Sequence, residues 1–352
     1  MACGDSGTGG SGGDTGGGGA GGAGGAGGGG AVERTYDAGG NVAEMVANAT
    51  HLFTASGFEV RRIDLATGDS VVLTTVDDGH PSKIAIEGQD LIWMETIGDE
   101  GAVIRKVPID AAPGTPSTLV VEDGYSTTFA VSETTIYYPL AFAIRSVPIA
   151  GGPATDFYTS DDGPGTGFHM GAFEFNRVAR ELVYHEGTGI FTLPESGGAP
   201  RAPIPLVHPD GITYGRLELT SDTSVAWMEC EDPSQPLRFF DASTAPGFSP
   251  ADGGSVLEIT TVPQTNPFIQ CPWMTTSSDS GLTAYFVVNQ NDGMGGDEWK
   301  AYVGSNPPGG PAREFGPADA FTLGPVTKND DFVFLAAEVG VDSLIYAYRR
   351  PL

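Results

Sequence analysis

The sequence predicts an all-β fold, and more closely a seven-bladed β-propeller built from four-stranded blades. Three observations predict it. A short apolar strand that ends near an aromatic residue recurs along the chain, a glycine turn follows the next strand of most units, and helical periodicity is almost absent. The recurring strand returns at intervals of about 39 to 58 residues, near the period of propeller blades.

The clearest copy of the repeat is Ala49–Gly79, which reads as an apolar strand, a strand carrying Arg61-Arg62-Ile63 and a strand after a Thr-Gly turn. In six of the seven units an aromatic residue stands two positions after the leading apolar position. This spacing places both side chains on one face of a strand, so we expect the aromatic residues to form the core between blades rather than a ligand cage. The aromatic positions are Trp93, Tyr138, Tyr184, Trp227, Tyr285 and Phe334.

The third strand of each unit has a signature of its own, Arg-x-Val-Pro-Ile at 105–109 and 145–149, and Gly-Gly stands before several fourth strands, as at 151–152 and 309–310. With the Leu-x-Trp/Tyr of the second strands, these motifs resemble the repeats of TolB-like and NHL/YWTD-type propellers. They are especially similar to the lipoprotein propellers that myxobacterial genomes encode. The resemblance covers residues 31–352 and implies the fold, whereas propellers host hydrolases, lyases and binding modules alike.

Two regions are expected: a disordered Gly-rich tether over 1–30 and the propeller over 31–352. The last unit stops after its third strand, while an orphan strand begins at Ala31. We therefore expect residues 31–38 to supply the outer strand of the final blade and close the ring. The predicted blades are approximately 42–80, 81–125, 126–164, 167–211, 212–263, 266–318 and 320–352 plus 31–38.

The cysteines point to an exported protein. Cys3 heads the Gly-rich stretch and resembles the mature start of a bacterial lipoprotein, which makes it a lipidation candidate and places the protein in the cell envelope, at the outer membrane or in the periplasm. The alternative is a low-complexity cytosolic N-terminus with an incidental cysteine. Cys230 and Cys271 fall toward the same rim of adjacent blades, so we expect a disulfide, with two buried free thiols as the alternative.

Charge narrows the choice of partner. The chain has 45 acidic and 17 basic residues, a net charge of −28, which disfavours nucleic acid because phosphates repel such a surface. No apolar run is long enough to span a bilayer, so membrane contact is expected only through a lipid on Cys3. We expect a monomer that binds a protein or a glycan.

The loops from each fourth strand into the next blade share one rim with the loops between second and third strands. These loops are acidic and contain histidines, a composition that favours a cation or a basic partner, although Asp-Gly is also good turn chemistry. A polar loop over 289–298 makes calcium the one cofactor considered; its alternative is a solvated loop without ligand. The rim candidates are Asp78, His80, Asp123, Asp162, His169, His208 and Asp210.

No motif predicts catalysis. A Gly-x-Ser-x-Gly elbow between a strand and a helix is missing, and the glycine run lacks the context of a phosphate loop. The sequence therefore favours a non-catalytic binding or scaffold propeller. The alternative is a metal-dependent lyase or lactone hydrolase, which needs several ligands converging on the axis. Among the innermost strands only Glu174 and Glu218 are acidic candidates for such a centre.

Overall fold

The computed structural model describes most of the chain from residue 31 to residue 350. The described residues form 28 β-strands and no α-helix, so the all-β prediction is confirmed for them. No helix in these ranges is long and apolar enough to cross a membrane. The described ranges are 31–76, 79–97, 101–114, 116–122, 124, 126–159, 168–186, 189–201, 204–205, 217–221, 224–229, 237–243, 257–262, 270–277, 283–291, 297–305, 312–317 and 319–350.

The strands are short and are separated by turns, as the alternation of apolar runs with Gly and Asp predicts. In chain order they are β1 (Val32–Asp37), β2 (Val42–Ala47), β3 (His51–Ser56), β4 (Glu59–Asp64), β5 (Ser70–Thr75), β6 (Gly79–Glu87), β7 (Asp90–Ile97), β8 (Gly101–Pro108), β9 (Ser117–Glu122), β10 (Ala130–Val131), β11 (Thr135–Leu140), β12 (Ala143–Pro148), β13 (Thr155–Thr159), β14 (Phe168–Asn176), β15 (Glu181–Glu186), β16 (Gly189–Pro194), β17 (Ile204–Pro205), β18 (Glu218–Ser221), β19 (Ser224–Glu229), β20 (Leu237–Ser243), β21 (Leu257–Val262), β22 (Gln270–Ser277), β23 (Thr283–Asn291), β24 (Asp297–Ser305), β25 (Arg313–Phe315), β26 (Thr322–Lys328), β27 (Phe332–Val339) and β28 (Asp342–Arg349).

Within the described residues these strands make seven four-stranded sheets. Sheets 1 to 6 each use four consecutive strands in chain order: β2–β5, β6–β9, β10–β13, β14–β17, β18–β21 and β22–β25. Sheet 7 differs, because its order is β1-β28-β27-β26 and its fourth strand comes from the start of the chain. Strand β1 runs antiparallel to β28, with Val32 opposite Tyr348 and Asp37 opposite Leu344.

The first strands of neighbouring sheets contact one another, so they form the inner part of the molecule. Contacts join β2 to β6 and to β26, and the series continues through β22, β18, β14 and β10. In the described residues, apolar clusters fill the spaces between sheets 7 and 1, 1 and 2, 2 and 3, 3 and 4, 4 and 5, and 6 and 7. One of them joins Tyr36 and Phe334 of sheet 7 to Met45 and Ile63 of sheet 1.

The six repeated aromatic residues lie in these layers, each at most 1% exposed. Trp93 illustrates their position, since it packs in sheet 2 against Phe53 and Leu73 of sheet 1. A large flat ring covers the neighbouring sheet more completely than an aliphatic side chain, which explains why the repeat keeps an aromatic there. The interpretation of this series as core is therefore correct.

Candidate functional site

Successive strands of each sheet run in opposite directions, so the segments that connect them fall at two opposite ends of the sheets. At one end lie the hairpins between second and third strands and the links from each fourth strand into the next sheet; we call this end the hairpin face. The turns between first and second strands and between third and fourth strands lie at the opposite end. Of the acidic-rim candidates, His80 in β6 and His169 in β14 lie toward the hairpin face.

Three hairpins on the hairpin face have two-residue turns that carry an exposed apolar side chain. The turns are Gly57-Phe58, Ala141-Phe142 and Gly340-Val341, and the first residue of each has a positive φ, at +54°, +52° and +66°. This conformation is that of type II′ turns, which favour glycine at the first central position. The second position of such a turn does not require an apolar residue. Phe58, Phe142 and Val341 are nevertheless 51%, 38% and 100% exposed.

Three more exposed apolar side chains belong to the same face. Ile97 and Val121 stand at or near the hairpin-face ends of β7 and β9, and Phe321 directly precedes β26. Of the eight large apolar side chains exposed among the described residues, only Val32 and Val178 lie toward the other end. Isolated surface apolar residues are normal, but their concentration on one face marks an interaction surface.

Sequence reasoning missed these residues because it followed charge rather than apolar exposure. The available signal was a large apolar residue directly after the first residue of a tight hairpin turn, where polar residues are usual. That signal is visible at Phe58 and Val341, each of which follows a glycine. At Ala141-Phe142 the turn itself becomes evident only from the backbone.

His80 is the rim candidate whose surroundings are defined. It lies inside strand β6, opposite Thr96, and not in the preceding loop as the sequence indicated. The backbone pairing therefore begins at Gly79, three residues earlier than the predicted start of this strand at Ser82. The His80 ring is exposed, stands 4.8 Å from the Phe58 ring and has Nδ1 3.4 Å from the carbonyl oxygen of Gly57. It joins sheet 2 to the hairpin tip of sheet 1.

The other rim and cysteine candidates fall largely outside the described part of the chain. His169 lies in β14 and Cys271 in β22, and only their backbone is described. Those that lie outside the described residues are Asp78, Asp123, Asp162, His208, Asp210, Cys3 and Cys230.

One carboxylate at the end of a fourth strand is fully engaged by its neighbours. Glu122, in β9, accepts hydrogen bonds from Arg145 at 2.6 and 2.7 Å and from the Tyr138 hydroxyl at 2.5 Å. Burial raises the pKa of the Tyr138 phenol, and its hydrogen bond to Glu122 raises it further because the anion would face a carboxylate. This group therefore joins sheets 2 and 3 and is not available to a ligand.

The two acidic candidates of the innermost strands also have protein partners. Glu174 in β14 lies 3.4 Å from the ammonium of Lys83 in β6, which reaches past the two-residue strand β10 of the sheet between them. Glu218 in β18 accepts a hydrogen bond of 2.9 Å from the Thr275 hydroxyl in β22. These carboxylates connect the first strands of different sheets.

A second ion pair also connects β6 with β14, closer to the end of the sheets opposite the hairpin face. Arg177, just after β14, forms an ion pair with Glu87 at the end of β6. The hydrogen bond to Glu87 raises the pKa of the Arg177 guanidinium. Within the described residues, no group of three or more His, Cys, Asp or Glu side chains is placed to hold a metal ion.

Most described basic side chains are occupied by protein groups. Arg61 pairs with Glu59 at 2.6 Å and Lys106 with Asp90 at 2.9 Å, while Arg62 donates to the carbonyl oxygen of Ile109. Because acidic residues outnumber basic ones by 45 to 17, 28 carboxylates of the chain have no basic side chain to pair with one to one. The basic residues with a carboxylate or carbonyl partner are Arg34, Arg61, Arg62, Lys83, Arg105, Lys106, Arg145, Arg177, Arg180, Arg201, Arg349 and Arg350.

The polar run at 289–298, expected to be one long loop, is shorter as a loop than the sequence predicts. Strand β23 continues to Asn291 and β24 begins at Asp297, with Gln290 opposite Glu298. The intervening residues 292–296 lie outside the described part.

Comparison with solved structures shows which known fold this chain shares. The WD40 propeller domain of Doa1 matches with a TM-score of 0.62 at 12% identity, covering 91% of this chain and 96% of that one. The β-propeller domain of Cps50 (Swd1) from Myceliophteria thermophila matches with a TM-score of 0.62 at 12% identity, covering 91% and 99%. YCF48 bound to D1 peptide matches with a TM-score of 0.58 at 10% identity, covering 91% and 96%.

These similarities define the class of protein: it is a β-propeller repeat protein. At such low identity they speak for the fold alone. No protein-family model matches the sequence. No curated protein matches it either.

Proposed function

We propose that this protein is a non-catalytic binding propeller whose hairpin face carries a protein partner. The observation that carries the proposal is the concentration of exposed apolar side chains on that face, at Phe58, Phe142, Phe321 and Val341 above all. Aromatic anchors surrounded by polar residues are the usual energetic centres of protein interfaces. The YCF48 structure, in which a protein of similar fold is bound to a peptide, supports the same reading.

A closed ring of seven blades is part of this proposal. Seven four-stranded sheets, the pairing of β1 with β28 and the apolar cluster between sheets 7 and 1 support it. Closure would leave no long free sheet edge, which would hold the hairpin tips at fixed distances from one another.

The net negative charge of the chain indicates the charge of the surface that the partner presents. An excess of 28 carboxylates over basic side chains favours a partner with a basic surface, because complementary charge speeds association and rejects acidic competitors. The axial carboxylates Glu174 and Glu218 already have the partners Lys83 and Thr275, so catalysis at the axis is not part of the proposal.

The proposed interface is tested by photocrosslinking in the cells that produce the protein. Phe58, Phe142 and Phe321 are replaced one at a time by p-benzoylphenylalanine in the full chain, with Val178 at the opposite end as the matched control. We expect the same partner to be captured from all three sites and not from Val178, which is also exposed. With that partner purified, Phe58→Ala and Phe142→Ala should each weaken the complex about tenfold, whereas Val178→Ala should not. Capture mainly from Val178 would contradict the proposal.

We also propose that the protein is exported and anchored by a lipid on Cys3, with the Gly-rich stretch as a tether. The composition of that stretch supports it, because Gly-rich sequences without side chains to pack act as flexible coils. Mass spectrometry of the Cys3 peptide from the membrane fraction should show a thioether-linked diacylglyceryl group. Cys3→Ser should move the protein to the soluble fraction, and Thr8→Ala in the same stretch should not. An unmodified Cys3 in membrane-bound protein rules the anchor out.

A further inference from the structure

The direction of strand β1 fixes the end of the molecule at which the N-terminal stretch joins it. Strand β28 starts at the hairpin turn Gly340-Val341 and runs away from the hairpin face. Strand β1 is antiparallel to β28, with Val32 opposite Tyr348 and Asp37 opposite Leu344. Val32 therefore lies at the end opposite the hairpin face, and the chain that precedes it reaches the molecule there.

Strand β1 is held at both of its ends. At the hairpin face the Ala38 N–H donates to the carbonyl oxygen of Ser343 at 2.9 Å. At the opposite end Glu33 forms an ion pair of 3.1 Å with Arg349. Moving the point of attachment from Val32 to the hairpin face would require the whole strand to leave β28.

Sheet 7 and its adjoining turns differ in charge between the two ends. The described basic residues all lie at the end where the N-terminal stretch joins, together with the acidic residues Glu33, Asp330 and Asp331, so that end is close to neutral. The described charged residues at the hairpin-face end are all carboxylates. An anionic phospholipid surface therefore repels the hairpin-face end more strongly than the other. The basic residues are Arg34, Lys328, Arg349 and Arg350, and the hairpin-face carboxylates are Asp37, Asp319, Glu338 and Asp342.

Other sheets also have ion pairs at the end opposite the hairpin face. Each pair neutralises a carboxylate there, which further lowers the repulsion between this end and an anionic surface. The pairs are Lys106 with Asp90, Arg177 with Glu87, Arg180 with Glu133 and Glu195, and Arg201 with Glu181.

The length of the N-terminal stretch favours the same orientation. A Gly-rich coil as long as residues 4–30 has a root-mean-square span of about 30 Å. The six residues of β1 extend over about 20 Å. Bringing the hairpin face to the surface that holds Cys3 would use most of that span to pass along the outside of sheet 7.

We infer that the N-terminal stretch holds the molecule by the end opposite the hairpin face, so that the hairpin face points away from the surface to which Cys3 is attached. The hairpin face then meets a protein partner that approaches from the aqueous side, and not one embedded in the same membrane. This inference rests on the proposed binding function and names the side from which its partner comes.

The test attaches the full chain through Cys3 to vesicles of phosphatidylcholine and phosphatidylglycerol that contain a maleimide lipid. A second lipid carries a nitroxide on its headgroup and quenches a dye at short range. p-Azidophenylalanine replaces Phe58 or Val178, which are 51% and 65% exposed at opposite ends, and is coupled to the dye. We expect quenching at Val178 to be at least twofold stronger than at Phe58. In phosphatidylcholine alone the difference should be smaller but keep its sign, because the point of attachment is unchanged.

The matched control attaches the same chain by its other end. Cys3→Ser alone should prevent coupling, which shows that the attachment is through Cys3. Cys3→Ser combined with Val341→Cys couples the chain through a hairpin tip of sheet 7 and should reverse the order, with stronger quenching at Phe58. This reversal shows that the assay reports orientation and not a property of either dye position.

Equal quenching at the two positions of the Cys3-coupled chain, or stronger quenching at Phe58, would overturn the inferred orientation. The crosslinks from Phe58, Phe142 and Phe321 report separately on the partner. If they capture a partner while the quenching order contradicts the orientation, only this inference fails and the proposed function stands. If the orientation holds and those sites capture nothing, the proposed function fails instead.

Discussion

Removal of residues 31–38 from the full chain should lower the free energy of unfolding by about 5 kcal/mol or more. Strand β1 supplies the buried ring of Tyr36, whose truncation alone is worth about 3–5 kcal/mol for a large core aromatic residue. The Tyr36 hydroxyl also donates to the carbonyl oxygen of Leu65 in sheet 1 at 3.1 Å. The deletion further leaves the backbone of β28 as an unpaired sheet edge, which promotes aggregation.

Urea unfolding followed by tryptophan fluorescence measures this loss. The matched control is deletion of residues 11–18, eight residues of the Gly-rich stretch, which should leave the midpoint unchanged. A synthetic peptide with the sequence of residues 31–38 should restore part of the lost stability if β1 acts through its place beside β28. An unchanged midpoint after deletion of 31–38 would mean that sheet 7 does not depend on its fourth strand, and the proposed closure of the ring would fail with it.

Trp93→Ala should cost about 3–5 kcal/mol of unfolding free energy. Trp93 is fully buried between sheets 1 and 2, where it packs against Phe53, Leu73 and Val107. Its indole Nε1 also donates to Glu95 at 2.7 Å, and this buried carboxylate receives its other hydrogen bond from Arg105 at 2.8 Å. The substitution therefore leaves a cavity and removes one of the two donors that stabilise a buried charge.

Trp93→Phe separates these two effects, because it keeps most of the ring volume but lacks the donor. It should lie between Trp93→Ala and the unsubstituted protein in urea unfolding. Phe58→Ala, an exposed aromatic residue in the adjacent sheet, is the control and should change stability by about 0.5 kcal/mol at most. A Trp93→Ala protein as stable as this control would show that sheets 1 and 2 do not pack through that ring.

Together these results would distinguish two uses of aromatic residues in one repeat. The aromatic residues inside the second strands are buried between sheets, so their loss is expected to affect stability. Phe58 and Phe142, at the hairpin tips a few residues away, are exposed and should affect binding instead. The backbone of the same hairpin thus supplies both the core and the proposed interface.

Local patterns in the sequence were sufficient for much of the fold. The spacing of Leu91 and Trp93 placed both on one strand face, and the orphan strand after the glycine run was assigned to the outer position beside the last strand, where β1 pairs with β28. The polar run at 289–298 was misread, because composition alone does not report how far a hairpin ladder extends. His80 was misplaced for the same reason, since cross-strand pairing with Thr96 extends β6 into the predicted loop.

The sequence by itself determined the class of fold, the strand order within sheets and the net negative charge of the chain, since alternation, turn residues and net charge are local or additive properties. Only the tertiary structure decided which side chains meet. Lys83 and Glu174 are 91 positions apart and come together because their sheets are arranged around a shared inner region. Strands β2 and β26, from opposite ends of the chain, likewise lie side by side. Contacts of this kind depend on the arrangement of the sheets, which no local pattern encodes.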